Sequence, residues 1–77
     1  MPKVTIYTKL GCHLCEAVEA TIAQVAKQRR FELVRHDISE DSSLYDLYKH
    51  DVPVVFVNDA EIARHRMTAE QLIAALQ

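Results

Sequence analysis

Both cysteines of this chain fall in one stretch, Tyr7-Thr8-Lys9-Leu10-Gly11-Cys12-His13-Leu14-Cys15-Glu16, with two residues between them. The β-branched run Val4-Thr5-Ile6-Tyr7 predicts a strand, and the amphipathic run that begins at His13 predicts a helix. We therefore expect the pair at a strand-to-helix junction. The first turn of a helix carries unpaired N–H groups and a partial positive charge, and both stabilise an anion placed there.

Cys12 is predicted to be that anion, in the form of a thiolate. A free thiol titrates near ~8.5, and a helix N-terminus with a cationic neighbour lowers the pKa well below that value. Cys15 lies one turn further along the helix, so the two can close a small disulfide ring and reopen it. A ring this small removes little chain entropy, which makes a purely structural disulfide the weaker interpretation. The pair is interpreted as catalytic, sensing or metal-binding.

Composition indicates a small globular protein, expected to form one domain over residues 1–77. Hydrophobic residues make up 49% of the 77 residues and charged residues 26%, which argues against disorder. The net charge of −2 and the dispersed cations argue against nucleic-acid binding. No apolar run reaches the ~20 residues that cross a bilayer and no signal-like pattern precedes the first strand, so we expect a cytoplasmic protein without a membrane partner.

Hydrophobic periodicity predicts a first helix from His13 to about Arg29 and a second strand over 31–38. The helix is expected to bury a stripe of four apolar side chains: Leu14, Val18, Ile22 and Val25. A whole helix separates the first two strands, so they should be parallel. A polar loop over 39–43 then leads into a short helix that ends near His50.

The last third of the chain predicts two more strands and a helix. The apolar run Pro53–Val57 suits a strand covered on both faces, and the turn Asn58-Asp59 returns the chain as an edge strand over 61–64. Thr68 with Gln71 forms a capping box for the final helix, with Met67 and Leu72 placed for the hydrophobic staple. The predicted fold is α/β, a single β-α-β-α-β-β-α domain with a four-stranded mixed sheet flanked by helices.

With that order, the chain resembles the glutaredoxin branch of the thioredoxin-like superfamily over essentially its whole length. Three segments carry the resemblance: Tyr7-Thr8-Lys9 with Gly11-Cys12-His13-Leu14-Cys15, the acidic strand end Asp37-Ile38, and Val52-Pro53-Val54-Val55-Phe56-Val57-Asn58. A Cys-x-x-Cys pair alone is a weak signal, but this setting makes it strong. The resemblance implies a thiol-disulfide oxidoreductase that reduces protein or mixed disulfides.

The resemblance also implies roles for individual residues. Cys12 matches the exposed nucleophile, and Cys15 matches the resolving thiol. Pro53 matches a cis proline, beside which the backbone of Val52 pairs with a bound peptide or glutathione. Lys9 matches a position that offers positive charge to the thiolate or to a glutathione carboxylate.

Some positions depart from the family pattern. Leu10 and His13 replace prolines, and a protonated His13 would stabilise the thiolate. Ala63-Arg64-His65-Arg66 stands where glutathione-using members carry Gly-Gly, so its side chains would crowd the tripeptide. Glutathione is thus an open but disfavoured reductant, and no bound cofactor or metal is expected. Arg64 and Arg66 are candidate contacts for a carboxylate or an anionic protein partner.

The expected partners are a disulfide-containing protein or a glutathione mixed disulfide, together with a thiol reductant or reductase. A monomer is expected because charged residues on the fourth strand discourage edge pairing. Two other classes remain open. A soft-metal carrier for copper or zinc, or an iron–sulfur carrier, would bind metal through the same thiolates. A non-catalytic interaction module with the thioredoxin fold would use them incidentally.

Overall fold

The computed structural model describes the chain from Met1 to Gln77 and has the predicted order of elements. In chain order these are β1 (Lys3–Thr8), α1 (His13–Ala26), β2 (Glu32–Asp37), a 3-10 turn (Ile38–Glu40), α2 (Ser42–Tyr48), β3 (Val54–Val57), β4 (Ala60–Arg64) and α3 (Ala69–Leu76). The predicted β-α-β-α-β-β-α fold is confirmed. None of these helices combines the length and the apolar character needed to cross a membrane.

The four strands form one mixed sheet in the order β2-β1-β3-β4. Strand β1 pairs in parallel with β2 and antiparallel with β3, and β3 pairs antiparallel with β4. The predicted parallel pairing of the first two strands and the predicted edge position of the fourth are both confirmed. Strand β1 is an inner strand, hydrogen-bonded to β2 on one side and to β3 on the other. The loop that leaves its carboxyl end therefore starts from a fixed point.

The main core lies between the sheet and the pair α1 and α3. Nine buried side chains form it: Val4, Ile6, Val18, Ile22, Val25, Val55, Val57, Met67 and Leu72. Burying an aliphatic side chain of this size contributes roughly 1.5–3 kcal/mol. The stripe of α1 begins at Cys15, which is 1% exposed, while Leu14 is only half-buried. The prediction that Leu14 starts this stripe was wrong, because Cys15 and Val18 continue the spacing of Ile22 and Val25.

Local signals fix most element ends. The side chain of Thr68 accepts from the Gln71 amide at 3.1 Å, and the Gln71 side chain accepts from the Thr68 amide at 2.7 Å, which confirms the capping box. Helix α1 ends at Ala26, three residues before the predicted end, and α2 ends at Tyr48. The loop predicted over 39–43 is partly regular, because the Asp37 and Asp41 side chains cap the 3-10 turn and α2.

Candidate active site

The dithiol lies where β1 gives way to α1. Gly11 turns the chain with a φ of +76°, a left-handed conformation that glycine adopts without strain. Cys12 then takes the N-cap position of α1 in an extended conformation, and Cys15 takes the third helical position. The two Cα atoms are 5.2 Å apart, within the range of disulfides, and the structure joins the sulfurs as a disulfide.

The Cys12 sulfur occupies the place of a helix-capping oxygen. The Cys15 backbone amide donates a hydrogen bond to the Cys12 sulfur at 3.1 Å. Serine, threonine and aspartate side chains satisfy the same amide in ordinary N-caps. In the reduced protein this donor and the positive end of the 14-residue helix would both favour a charged sulfur over a neutral one.

The two sulfurs differ in their access to solvent. Cys15 is 1% exposed and packs with Ile38 and Val52 in a small cluster at the carboxyl end of β1. Cys12 is half-buried at the edge of the same cluster, which Tyr7 and Tyr48 also contact. The Tyr7 ring stacks on His36, with centroids 5.2 Å apart, and lies at a tilt against Tyr48, with centroids 5.0 Å apart. The outer sulfur can therefore meet a second molecule while the inner one cannot.

The two basic side chains predicted beside the thiolate, Lys9 and His13, each have another partner. His13 is 98% exposed, and its Nδ1 lies 3.8 Å from a Glu16 carboxylate oxygen. The Lys9 ammonium donates to the Lys49 carbonyl at 3.4 Å, just after the end of α2. The main source of positive potential at the Cys12 sulfur is therefore the N-terminus of α1 and not a basic side chain.

The Val52-Pro53 segment faces the dithiol from the start of β3. The bond between the two residues is cis, as the resemblance implies, and both residues are buried. Val52 contacts the cluster that contains Cys15. Its amide already donates to the Tyr48 carbonyl at 3.2 Å, so the backbone contact predicted for a bound peptide has a competitor within the chain.

Arg64 is held by carboxylates of its own chain. It donates to both oxygens of Glu61, at 2.6 and 3.0 Å, and lies 3.2 Å from an Asp51 oxygen. Its guanidinium also lies over the Tyr48 ring, 5.7 Å from the centroid. The hydrogen bond from Arg64 holds the pKa of Glu61 below its usual range and raises that of the guanidinium. Of the two arginines predicted as anion contacts, Arg66 alone has no side-chain partner.

Two residues of the site carry structural roles that the sequence did not reveal. His65 has a φ of +68°, a left-handed conformation that is uncommon for a residue with a Cβ. Its amide donates to the Pro53 carbonyl at 2.8 Å, and its Nε2 lies 3.3 Å from the His50 carbonyl oxygen. The Asp51 side chain contacts the same segment through its ion pair with Arg64.

No three His, Cys, Asp or Glu side chains come together in a way that could hold a metal ion. The reactive groups that the fold brings together here are the two sulfurs of Cys12 and Cys15. What the arrangement can do is exchange electrons between a dithiol and a disulfide, through one accessible and one protected sulfur.

Comparison with known proteins points in the same direction. Residues 3–77 match the family model described as glutaredoxin-like domain (DUF836). The glutaredoxin-like protein YDR286C homolog of Dictyostelium discoideum is 26% identical over 80 residues, covering 96% of this chain and 74% of that protein.

Solved structures are similar along the whole chain. Protein Ne2328 from Nitrosomonas europaea is 32% identical with a TM-score of 0.81, covering 99% of this chain and 92% of that one. Protein XcR50 from X. campestris is 28% identical with a TM-score of 0.71, covering 92% and 91%. Thioredoxin-2 of the malaria parasite, at 21% identity and a TM-score of 0.73 over 96% and 79% of the two chains, shares the fold.

Proposed function

This chain belongs to the glutaredoxin-like domain family, and from that premise we propose that it is a thiol-disulfide oxidoreductase acting on protein disulfides through Cys12 and Cys15. The observation that carries the proposal is the Cys12 sulfur at the N-cap of α1, accepting a backbone N–H, with Cys15 buried behind it. A thiolate is the species that attacks a disulfide, and this environment favours the thiolate.

The reaction proceeds in two exchanges. The Cys12 thiolate attacks one sulfur of a substrate disulfide, forms a mixed disulfide and releases the other substrate sulfur as a thiolate. Cys15 then loses its proton and attacks the Cys12 sulfur, which releases the second substrate thiolate and leaves Cys12 and Cys15 oxidised. The substrate gains two electrons and the protein loses two. The oxidised form described above is the product of this cycle, and a thiol reductant or a reductase must restore the dithiol.

A protein disulfide suits this site better than glutathione does. Where a tripeptide would approach the backbone, Arg64 is fixed by Glu61 and Asp51, and the ring of His65 lies against the His50 carbonyl. We propose that a reductase or another protein dithiol recycles the pair and that the protein acts as a cytoplasmic monomer.

The soft-metal carrier is the less favoured alternative. Carriers of the ferredoxin-like kind have the order β-α-β-β-α-β, whereas here the helix α2 follows the second strand. Only two thiols are available, and one of them is 1% exposed. A non-catalytic interaction module would leave unexplained why an accessible sulfur takes a capping position that a hydroxyl side chain fills equally well.

The test compares wild type with Cys12→Ser and Cys15→Ser on insulin, whose disulfide reduction is followed by turbidity, with dithiothreitol as electron source. We expect catalysis by wild type and none by Cys12→Ser. In a separate reaction, prereduced Cys15→Ser freed of dithiothreitol and mixed with insulin should accumulate a mixed disulfide that mass spectrometry detects as one added substrate chain. Equal rates for wild type and Cys12→Ser would contradict the proposal. Recycling is then compared with glutathione plus its reductase and with thioredoxin reductase, and faster recycling by glutathione would refute the assigned reductant.

A further inference from the structure

A groove lies between α1 and the start of α3, and one of its lining residues, Leu14, stands between the two cysteines in the sequence. Its apolar lining consists of Leu14, Ala17, Val18 and Met67. The groove begins two residues after Cys12 and follows α1 as far as Thr21. Two of its lining residues, His65 and Arg66, belong to the segment that stands where glutathione-using members carry Gly-Gly, and the reaction proposed above assigns the groove no ligand.

Its size suits side chains of a protein segment. The cavity volume is about 210 Å³, below the roughly 300–1,000 Å³ of small-molecule sites. From Leu14 to Thr21 the helix rises roughly 10 Å at ~1.5 Å per residue. An extended peptide covers that distance with about three residues, at ~3.3 Å each. The groove can therefore hold the residues that flank a cysteine bonded to Cys12.

The charge at the rim specifies the chemistry of that segment. Arg66, an exposed residue, lines the groove together with His65, and no carboxylate is among the lining residues. The other arginine of this loop, Arg64, is neutralised by Glu61 and Asp51. Arg66 is thus an unpaired cation at the edge of an apolar surface, in a chain whose net charge is −2.

We propose that this groove binds the substrate protein next to its reacting cysteine, with an apolar side chain over Leu14 and Met67 and an acidic side chain at Arg66. This assignment rests on the oxidoreductase function proposed above and names its substrate class. The partner is a protein whose exposed disulfide is flanked by apolar and acidic residues. Apolar contact supplies affinity, and the charge at Arg66 selects among partners.

The experiment uses three five-residue peptides, each joined through its single cysteine to thionitrobenzoate. Their sequences are Glu-Leu-Cys-Leu-Glu, Lys-Leu-Cys-Leu-Lys and Glu-Ser-Cys-Ser-Glu. Attack on the peptide sulfur by Cys12 releases coloured thionitrobenzoate, and Cys15 then releases the peptide thiol. Each second-order rate constant is divided by the rate constant of the same peptide with dithiothreitol, which removes differences in intrinsic reactivity.

Wild type should prefer the acidic apolar peptide over the basic one by about two- to fivefold, the range that one exposed ion pair supplies. It should prefer leucine to serine by at least about threefold. Arg66→Glu should abolish or reverse the charge preference, and 1 M salt should remove it, since the Debye length there is ~3 Å. The matched control is Arg30→Glu, the same charge change on an exposed arginine beyond the far end of α1, which should keep the preference.

The possible outcomes distinguish a failure of the groove assignment from a failure of the oxidoreductase function on which it rests. Equal normalised rates for the three peptides would overturn the groove assignment while leaving the oxidoreductase intact. Equal effects of Arg66→Glu and Arg30→Glu would also overturn it, because net charge would then explain the preference. No release of thionitrobenzoate from any peptide, at a rate above that of Cys12→Ser, would refute the oxidoreductase function itself.

Discussion

Replacing Gly11 by alanine isolates the backbone conformation that presents Cys12. Gly11 has a φ of +76°, and a Cβ added there would meet no atom within 4 Å. The cost is therefore conformational and not steric. The left-handed region costs an L-residue roughly 1–2 kcal/mol. Alanine also lowers the conformational entropy of the unfolded chain, which stabilises the folded state by about 0.4–1 kcal/mol and offsets part of that cost. We expect a net loss of about 1 kcal/mol in the free energy of unfolding.

The measurement is the urea or thermal midpoint of the oxidised protein. For a domain of this size a loss of about 1 kcal/mol lowers the Tm by roughly 4–8 °C. Gly11→Asn is the matched variant, because asparagine tolerates the left-handed region, and it should lose less stability than Gly11→Ala. If Gly11→Ala were as stable as wild type, or less harmful than Gly11→Asn, the conformation assigned to this turn would be refuted.

Two further perturbations test other parts of the structure. Thr68→Ala removes the cap that accepts from the Gln71 amide and should cost ~1 kcal/mol in urea unfolding, whereas an unchanged midpoint would contradict the capping box. Glu61→Gln should destabilise the protein at pH 7, because the bond from Arg64 lowers the pKa of Glu61 below its unfolded value. That stability is present above the ordinary carboxyl pKa of ~4.3 and is lost as the pH falls through the lowered pKa of Glu61, so the urea midpoints of wild type and variant should converge as the pH is lowered. A difference between the two midpoints that does not shrink as the pH is lowered would contradict the ion pair with Arg64.

Local patterns in the sequence predicted most of the fold. The capping box at Thr68 and the turn at Asn58-Asp59 each involve residues close together in the chain, so their geometry follows from residue type. The parallel pairing of β1 with β2 followed from the helix between them. The end of α1 was harder to predict, since no glycine or proline marks it. There the Gln28 and Arg29 amides both bond to the Val25 carbonyl, which tightens the last turn.

The contacts that shape the candidate site join distant parts of the chain. Lys9 meets the Lys49 carbonyl, and Arg64 meets Asp51, only because the folded sheet brings the α2–β3 loop beside both. Periodicity carries no information about such pairs. The positions of Cys12 and Cys15 were predictable because a strand-to-helix junction is itself a local pattern. The left-handed turn at His65 was not, because the residue type gives no sign of it.

The proposed function depends most directly on the ionisation of one sulfur. The measurement is the rate at which iodoacetamide alkylates Cys12 in reduced Cys15→Ser protein between pH 4 and pH 10, with the same protein in urea as reference. The rate should rise with a midpoint at least one pH unit below the value of ~8.5 that a free thiol shows, and unfolding should return it to that value. A midpoint near 8.5 in the folded protein would contradict the claim that the first turn of α1 stabilises the thiolate.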